Sequence, residues 1–194
     1  MLDSGKHVYT EKMMAVTLEQ GQELVALAKE KHLYLGVAPD TILGAGIQTA
    51  RKIMDAGLIG NVTSCYASIN RNQSLNSEKF RFLRNNGGAL PYDVGIYYIA
   101  ALLCLLGPVR SVRGFGAPAP LYTPQLLYEL PEIPVTPWQI PGNNLMIGAL
   151  EFESGVLGGL HFDGNTIGES QHALKIFGTE GILELGDPNT FNGY

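Results

Sequence analysis

The sequence has few cysteines and no long hydrophobic run, and each deficit argues against a class of protein. Its 194 residues include two cysteines, Cys65 and Cys104, which lie in apolar stretches without metal-ligand spacing. Small core residues of a reduced, cytoplasmic protein are therefore favoured over disulfides or a metal site. The longest apolar run, residues 96–106, is too short to cross about 30 Å of hydrocarbon and predicts a core helix. Residues 1–12 contain no apolar signal core, so no secretory signal is predicted.

Basic clusters and several common catalytic motifs are also missing. The net charge is −5 and no basic face is clustered in the sequence, which argues against nucleic acid as a partner. The motifs GxSxG, HExxH and GxxxxGK(S/T) do not occur, so acyl-transfer, zincin and P-loop chemistry have no support. A membrane, a nucleic acid and a metal are therefore not expected among the ligands.

What is present predicts a folded chain that begins with a βαβ unit. With 45% hydrophobic and 16% charged residues, the composition is that of a globular protein. A short β-prone segment at 7–10 is followed by a helix from about 17 to 31, whose start is indicated by Thr17 and Gln20 in a capping box. The continuous apolar run at 33–39 is typical of a strand buried on both faces of a parallel sheet.

The rest of the chain predicts an α+β arrangement. The expected segments are, in order, a helix (47–58), a strand (61–70), a long polar loop (71–91), an apolar helix (92–106) and strands with hairpins at 154–155 and 178–181. Residues 117–142 hold seven of the eleven prolines and are interpreted as an irregular surface excursion.

Two stretches carry residues suited to chemistry. Glu11 and Lys12 follow the first strand, at the edge where open α/β sheets bind ligands, and the lysine could orient a substrate hydroxyl. The alternative is a surface ion pair. In GGALPYDVGIYY, residues 87–98, Asp93 and Tyr97 stand four apart at the start of the apolar helix and could hold a polyhydroxylated substrate. The alternative is that Asp93 complements the helix dipole and Tyr97 packs in the core.

Other single residues give weaker indications. Arg81 and Arg84 in the polar loop could steer an anionic group, although a solvated loop face is the favoured explanation. His161 and His172 lie on predicted strands and could touch substrate, while cross-strand packing is the commoner role for a histidine in that setting.

Three motifs together resemble those of one enzyme family. GKHVYTEKMMAVTLEQGQEL resembles the GKHVxxEKP(x)A segment of the Gfo/Idh/MocA oxidoreductases, the family of glucose-fructose oxidoreductase and inositol dehydrogenase. GGALPYDVGIYYIAALLCLLGPV is similar to the GGGxxxDxGxHxxD segment of the same family, and IFGTEGILEL to its xxGTxGxL hairpin. The motifs follow the order and the approximate spacing of the family.

The resemblance implies an NAD- or NADP-dependent oxidoreductase that acts on a sugar, polyol or related compound. It implies the C-terminal part of a Rossmann-like parallel sheet at 1–44, followed at 45–194 by an α+β domain. The open, mainly antiparallel sheet of that domain would form a homo-oligomer contact. Lys12 matches the lysine beside the nicotinamide and substrate, and Glu11 precedes it. Asp93 matches the substrate-side acid, and Tyr97 takes the position of the catalytic histidine.

The sequence departs from the family pattern in three places. No GxGxxG precedes residue 5, so the first half of the Rossmann domain is not in the sequence, and we expect weak dinucleotide binding. Met13 stands in place of proline, and Tyr97 in place of histidine. An unperturbed phenol, with a pKa near 10, is a poorer base than imidazole at neutral pH unless a cation such as Lys12 lowers that pKa.

Two functions therefore remain open. The chain is either a fragment or truncated form of such an oxidoreductase, with Lys12, Asp93 and Tyr97 as its catalytic residues and Arg84 and His172 as further substrate contacts, or a non-catalytic binding or oligomerisation module without cofactor.

Overall fold

The computed structural model of the chain describes residues 1–122, 137–167 and 173–191. Its N-terminal part contains strands β1 (Val8–Thr10) and β2 (Leu35–Val37), joined by helix α1 (Leu18–Glu30). The two strands pair in parallel, with Val8 opposite Leu35. The predicted βαβ unit is therefore confirmed, with shorter strands than the apolar runs indicated.

Helix α1 begins where its capping box predicts. The Oγ1 atom of Thr17 accepts a hydrogen bond from the backbone N–H of Gln20, and the Gln20 side chain accepts one from the backbone N–H of Thr17. Because the side chain of each residue accepts a hydrogen bond from the backbone N–H of the other, the first turn is fixed by local contacts.

The remaining part of the chain is built on a six-stranded sheet with helices on one face. Its helices are α2 (Ala45–Asp55), α3 (Gln73–Lys79), α4 (Leu90–Asp93) and α5 (Gly95–Leu106). Its strands are β3 (Val62–Asn70), β4 (Val109–Pro118), β5 (Asn143–Phe152), β6 (Leu157–Asp163), β7 (Ala173–Gly178) and β8 (Ile182–Leu185). The strand order is β4-β5-β6-β3-β7-β8, and within this sheet, as far as the structure describes it, the β3–β6 pair is parallel and the other pairs are antiparallel. The mainly antiparallel sheet was expected, and so were both hairpins.

Helix α5 packs closely on the sheet and positions the residues at its N-terminal end. The helix buries Tyr98, Ala101, Leu102 and Leu105 in the main core. At its first residue, Gly95, a Cβ atom would lie 2.9 Å from the ring of Phe162 on β6. This approach fixes the start of α5, and with it α4, against the sheet.

The segment at 71–91, expected to be a loop, is largely helical. Helix α3 is capped by Asn72, whose Oδ1 accepts from the backbone N–H of Leu75, and a 3-10 helix follows at Arg81–Arg84. Helix α3 buries the polar residues Gln73, Ser74 and Ser77, so it packs through hydrogen bonds rather than through an apolar stripe. That is why hydrophobic periodicity did not reveal it.

The helix expected at 92–106 is broken at Val94, which separates α4 from α5. The proline-rich excursion at 117–142 falls partly outside the described residues; within them, Tyr122 and Trp138 form an isolated β-bridge. The division at residue 44 stays a prediction.

The cysteines lie in reduced form within the described chain. Cys65 is buried and Cys104 partly buried, and both are free. Burial raises the pKa of the Cys65 thiol to about 11. Among the described residues no helix is long and apolar enough to cross a bilayer. The same residues contain no group of three or more His, Cys, Asp or Glu side chains that could hold a metal ion.

Candidate active site

Lys12 and Asp93 are joined across 81 positions of the sequence by a short ion pair. Lys12 follows β1, its side chain is 17% exposed, and its Nζ lies 2.6 Å from Oδ1 of Asp93 and 2.5 Å from the backbone carbonyl oxygen of Asp93. The Lys12–Met13 peptide bond is cis. An ammonium group has three hydrogens. Two of them point to oxygens of Asp93, so the third is left for a ligand.

The second carboxylate oxygen of Asp93 is held by two residues that no sequence motif indicated. Oδ2 accepts from Nη2 of Arg71 at 2.9 Å and from Nε2 of Gln73 at 3.0 Å. Nε2 of Gln73 also donates to the carbonyl of Gly88 at 2.9 Å, and its Oε1 accepts from Nε of Arg71 at 2.7 Å. Asp93 is therefore fixed from both sides, by Lys12 at one oxygen and by Arg71 and Gln73 at the other.

This network also defines the electrostatics around Arg71. Burial lowers the pKa of the Arg71 guanidinium, and the carboxylates of Asp93 and Asp187 act in the opposite direction. Arg71 follows β3 directly, and its backbone N–H donates to the carbonyl of Asp163 beside it. The position of Arg71 at the end of a strand was the one indication in the sequence that it could belong to the site. For Gln73 the sequence offers no such indication.

Tyr97 lies beside the ion pair, on the first turn of α5. Lys12 Nζ is 5.5 Å from the centre of the Tyr97 ring, so the cation faces the ring. Burial raises the pKa of the Tyr97 phenol, and the negative charges of Glu11 and Asp93 add to the rise. The shift is opposite to the lowering by Lys12 that would make Tyr97 a base. The phenol is thus protonated at neutral pH and can donate a hydrogen bond.

These side chains line one small cleft of about 220 Å³. Its lining includes both polar and apolar residues. The lining residues are Lys12, Arg71, Asn76, Phe80, Phe82, Leu83, Asp93, Val94, Tyr97 and Asn189. The cleft has the size of a single small ring, and its polar lining includes Lys12, Tyr97 and two asparagines.

The other residues selected from the sequence lie elsewhere. Glu11 is exposed and acts on Tyr97 through its charge. The Arg84 guanidinium stacks on the Trp138 ring at 3.5 Å and is not among the residues that line the cleft. His161 alternates with the core residues of β6 and therefore faces away from α5. His172 lies outside the described residues.

The sequence model of the GFO/IDH/MocA C-terminal domain matches residues 47–184, which is more than half of the chain. The chain belongs to the Gfo/Idh/MocA family.

Several known members of the family are similar to this chain in sequence or in fold. The D-xylose dehydrogenase of Paenarthrobacter nicotinovorans is 27% identical over 116 residues, which covers 57% of this chain and 30% of that protein. An NAD-binding oxidoreductase from Klebsiella pneumoniae has the same fold, with a TM-score of 0.78 and 22% identity over 98% of this chain and 50% of its own. Levoglucosan dehydrogenase, solved with NADH and L-sorbose, gives a TM-score of 0.75 with 21% identity, covering 95% of this chain and 48% of its own.

The chain thus spans about a third to a half of the length of these Gfo/Idh/MocA members. The match to the C-terminal domain model covers both α5 and the xxGTxGxL-like hairpin between β7 and β8. Lys12 lies before the matched residues and reaches into the matched domain through Asp93.

Proposed function

We propose that the chain is the substrate-side part of an NAD(P)-dependent oxidoreductase that acts on a sugar, polyol or related hydroxylated compound. The observation that carries this proposal is the convergence of Lys12, Asp93 and Tyr97 in one small cleft. The names of the relatives support it, since one is a D-xylose dehydrogenase and another was solved with NADH and L-sorbose. The reaction would move a hydride between a carbinol carbon and the nicotinamide ring.

Lys12 would contact the reacting hydroxyl. Its remaining N–H is the hydrogen that Asp93 does not use, and a cation beside a hydroxyl oxygen favours the negative charge that develops when the proton leaves. Asp93 keeps the ammonium in place through two contacts, while Arg71 and Gln73 keep Asp93 in place. Tyr97, protonated at neutral pH, would donate its hydrogen to the substrate oxygen and so orient the substrate.

The residues present fit one end of the cofactor. Glu11 and Lys12 follow β1 in a parallel pair, at the edge where open α/β sheets bind ligands. Beside them, an apolar groove of about 600 Å³ is lined by residues 13–18 and by Tyr92 and Ile96, among others, and suits a flat ring. We therefore assign Glu11 and Lys12 to the nicotinamide end; bound there, the nicotinamide supplies the hydride acceptor or donor.

Titration of the purified chain with NADH and with NADPH tests the cofactor assignment. Because the sequence has no GxGxxG, we expect weak binding with a Kd in the millimolar range, with nicotinamide fluorescence as the readout. Lys12→Ala should weaken this binding further, whereas Lys31→Ala, at an ion pair with Asp3 of 3.2 Å, should not. Absence of binding at millimolar cofactor would contradict the assignment of an enzyme to this chain alone.

Kinetics of a longer parent enzyme test the catalytic roles. Lys12→Ala and Asp93→Asn should each lower kcat/KM by far more than the matched variants Lys31→Ala and Asp3→Asn. A loss within about threefold would correspond to less than about 1 kcal/mol of transition-state stabilisation and would contradict the roles given to Lys12 and Asp93.

A second candidate function is an oligomerisation module, and an exposed sheet face favours it. The face of the sheet opposite α5 carries Phe115 at 87%, Ile147 at 49% and Tyr66 at 38% exposure. We propose that a second copy covers this face. Sedimentation equilibrium should then give a dimer that Phe115→Glu dissociates; a monomeric wild-type chain would contradict this.

The free cysteines Cys65 and Cys104 suit a reducing compartment, so we propose a cytoplasmic location.

A further inference from the structure

Two exposed aromatic residues line the cleft that holds Lys12. Phe80 and Phe82 are 53% and 61% exposed, and both line this cleft. Their ring centres are 6.1 Å apart and the planes are tilted by 58°. Paired apolar side chains left in water at a polar cleft are a common feature of ligand-binding surfaces, because burying them against a ligand is favourable.

The local structure keeps both rings at the cleft. Phe80 ends α3 and Phe82 lies in the 3-10 helix that follows, whose Leu83 is 1% exposed and anchors the turn. A Cβ atom on Gly88 would lie 2.0 Å from the Leu83 carbonyl oxygen, so the backbone of the turn is packed directly against the segment that leads to Asp93. The aromatic pair and the ion pair are therefore parts of one packed unit.

The polar and the aromatic residues of the cleft make opposite demands on a ligand. The polar lining comprises Lys12, Asn76 and Asn189 together with Asp93 and Arg71, which bond to each other, and such groups favour hydroxyls. The face of an aromatic ring carries partial negative charge and favours C–H groups, whereas a hydroxyl pressed against it loses water without gaining a partner. A volume of about 220 Å³ restricts the ligand to one ring.

We propose that Phe80 and Phe82 form a stacking wall that selects cyclic polyols and pyranoses with equatorial hydroxyls. Such a ring has C–H bonds on its faces and hydroxyls on its rim, so one face can contact the wall while the rim reaches Lys12. A ring with an axial hydroxyl on each face has no such surface. This inference rests on the proposed function, because it names the stereochemistry of the substrate at the same cleft.

Binding of two inositols by the 194-residue chain tests the wall. scyllo-Inositol has all six hydroxyls equatorial, whereas D-chiro-inositol has one axial hydroxyl on each face. Saturation-transfer NMR needs no cofactor and measures weak binding. We expect the Kd of scyllo-inositol to be lower by about three- to tenfold, the range of aromatic pair energies.

Variants separate stacking from general apolar contact. Phe80→Leu and Phe82→Leu keep apolar bulk without a ring face, and we expect them to reduce the Kd ratio of the two inositols to about one. Phe80→Tyr and Phe82→Tyr should retain the ratio. Tyr34→Leu is the matched control, because Tyr34 is 80% exposed and precedes β2 at the end of the β1–β2 pair opposite Lys12.

Three results would overturn the wall: equal Kd values for the two inositols in the wild-type chain, a ratio that survives both leucine variants, or no binding of scyllo-inositol at tens of millimolar. The proposed function fails in a different way. If a longer parent enzyme shows no NAD(P)-dependent oxidation while the inositol preference is present, the proposed oxidoreductase function is wrong and the proposed stacking wall is not affected.

Discussion

Gln73 is the residue whose replacement tests the site most directly. Its side chain is fully buried and its amide orientation is fixed by its neighbours. Oε1 must face Nε of Arg71, which can only donate, and Nε2 must face the Gly88 carbonyl and the Asp93 carboxylate, which accept. Gln73→Leu keeps the approximate volume of the side chain and removes all of these hydrogen bonds.

The expected loss of stability depends on how deeply buried each group is that loses its hydrogen bond to Gln73. The carbonyl of Gly88 is buried and loses its amide donor, which costs about 1–3 kcal/mol. Arg71, with a side chain 29% exposed, can turn partly to water, and Oδ2 of Asp93 keeps its bond from Arg71. With about 1 kcal/mol more for the lost hydrogen bonds to Arg71 and Asp93 together, we expect the free energy of unfolding to fall by about 2–4 kcal/mol.

Urea unfolding followed by the fluorescence of Trp138, the single tryptophan, measures this loss. Gln48→Leu is the matched control, because Gln48 also donates to a backbone carbonyl, that of Ile42 at 2.8 Å, but is exposed. That variant should lose less than about 1 kcal/mol, since water replaces the lost partner. Equal losses in the two variants would refute the view that buried hydrogen bonds hold Asp93.

Three further predictions concern the capping box, a buried thiol and the phenol. Thr17→Ala should lower the free energy of unfolding by about 1 kcal/mol, measured by urea unfolding, because the first turn of α1 loses its cap. Cys65 has a pKa raised from 9.0 to about 11, so between these pH values the unfolded thiol ionises while the folded one stays protonated. Stability should therefore fall as pH rises through this range, and Cys65→Val should remove that part of the fall; identical pH profiles would contradict it. Ultraviolet titration of wild type against Tyr97→Phe should show the Tyr97 phenol ionising only above pH 10.0; ionisation below that pH would contradict the raised pKa, and ionisation at neutral pH would exclude its role as a donor.

Parts of the fold could be predicted because their determinants are close in sequence. The start of α1 depends on Thr17 and Gln20, three residues apart, and the β5–β6 hairpin turns at Gly155, whose φ of 87° suits glycine. Helix α3 was missed because it buries polar residues, and Val94 breaks a helix that looked continuous in hydrophobicity.

Some features of the candidate site likewise follow from local sequence, and others depend on tertiary contacts. By itself the sequence indicated that Lys12 follows a strand and that Asp93 and Tyr97 lie near the start of an apolar helix, because strand and helix patterns are local; it was the family resemblance that linked them. Only the tertiary structure decided that Lys12 and Asp93 meet, that Gln73 and Arg71 hold the carboxylate, and that the Tyr97 pKa rises rather than falls. These properties depend on burial and on contacts between residues up to 81 positions apart, and neither is encoded in the spacing of residues along the chain.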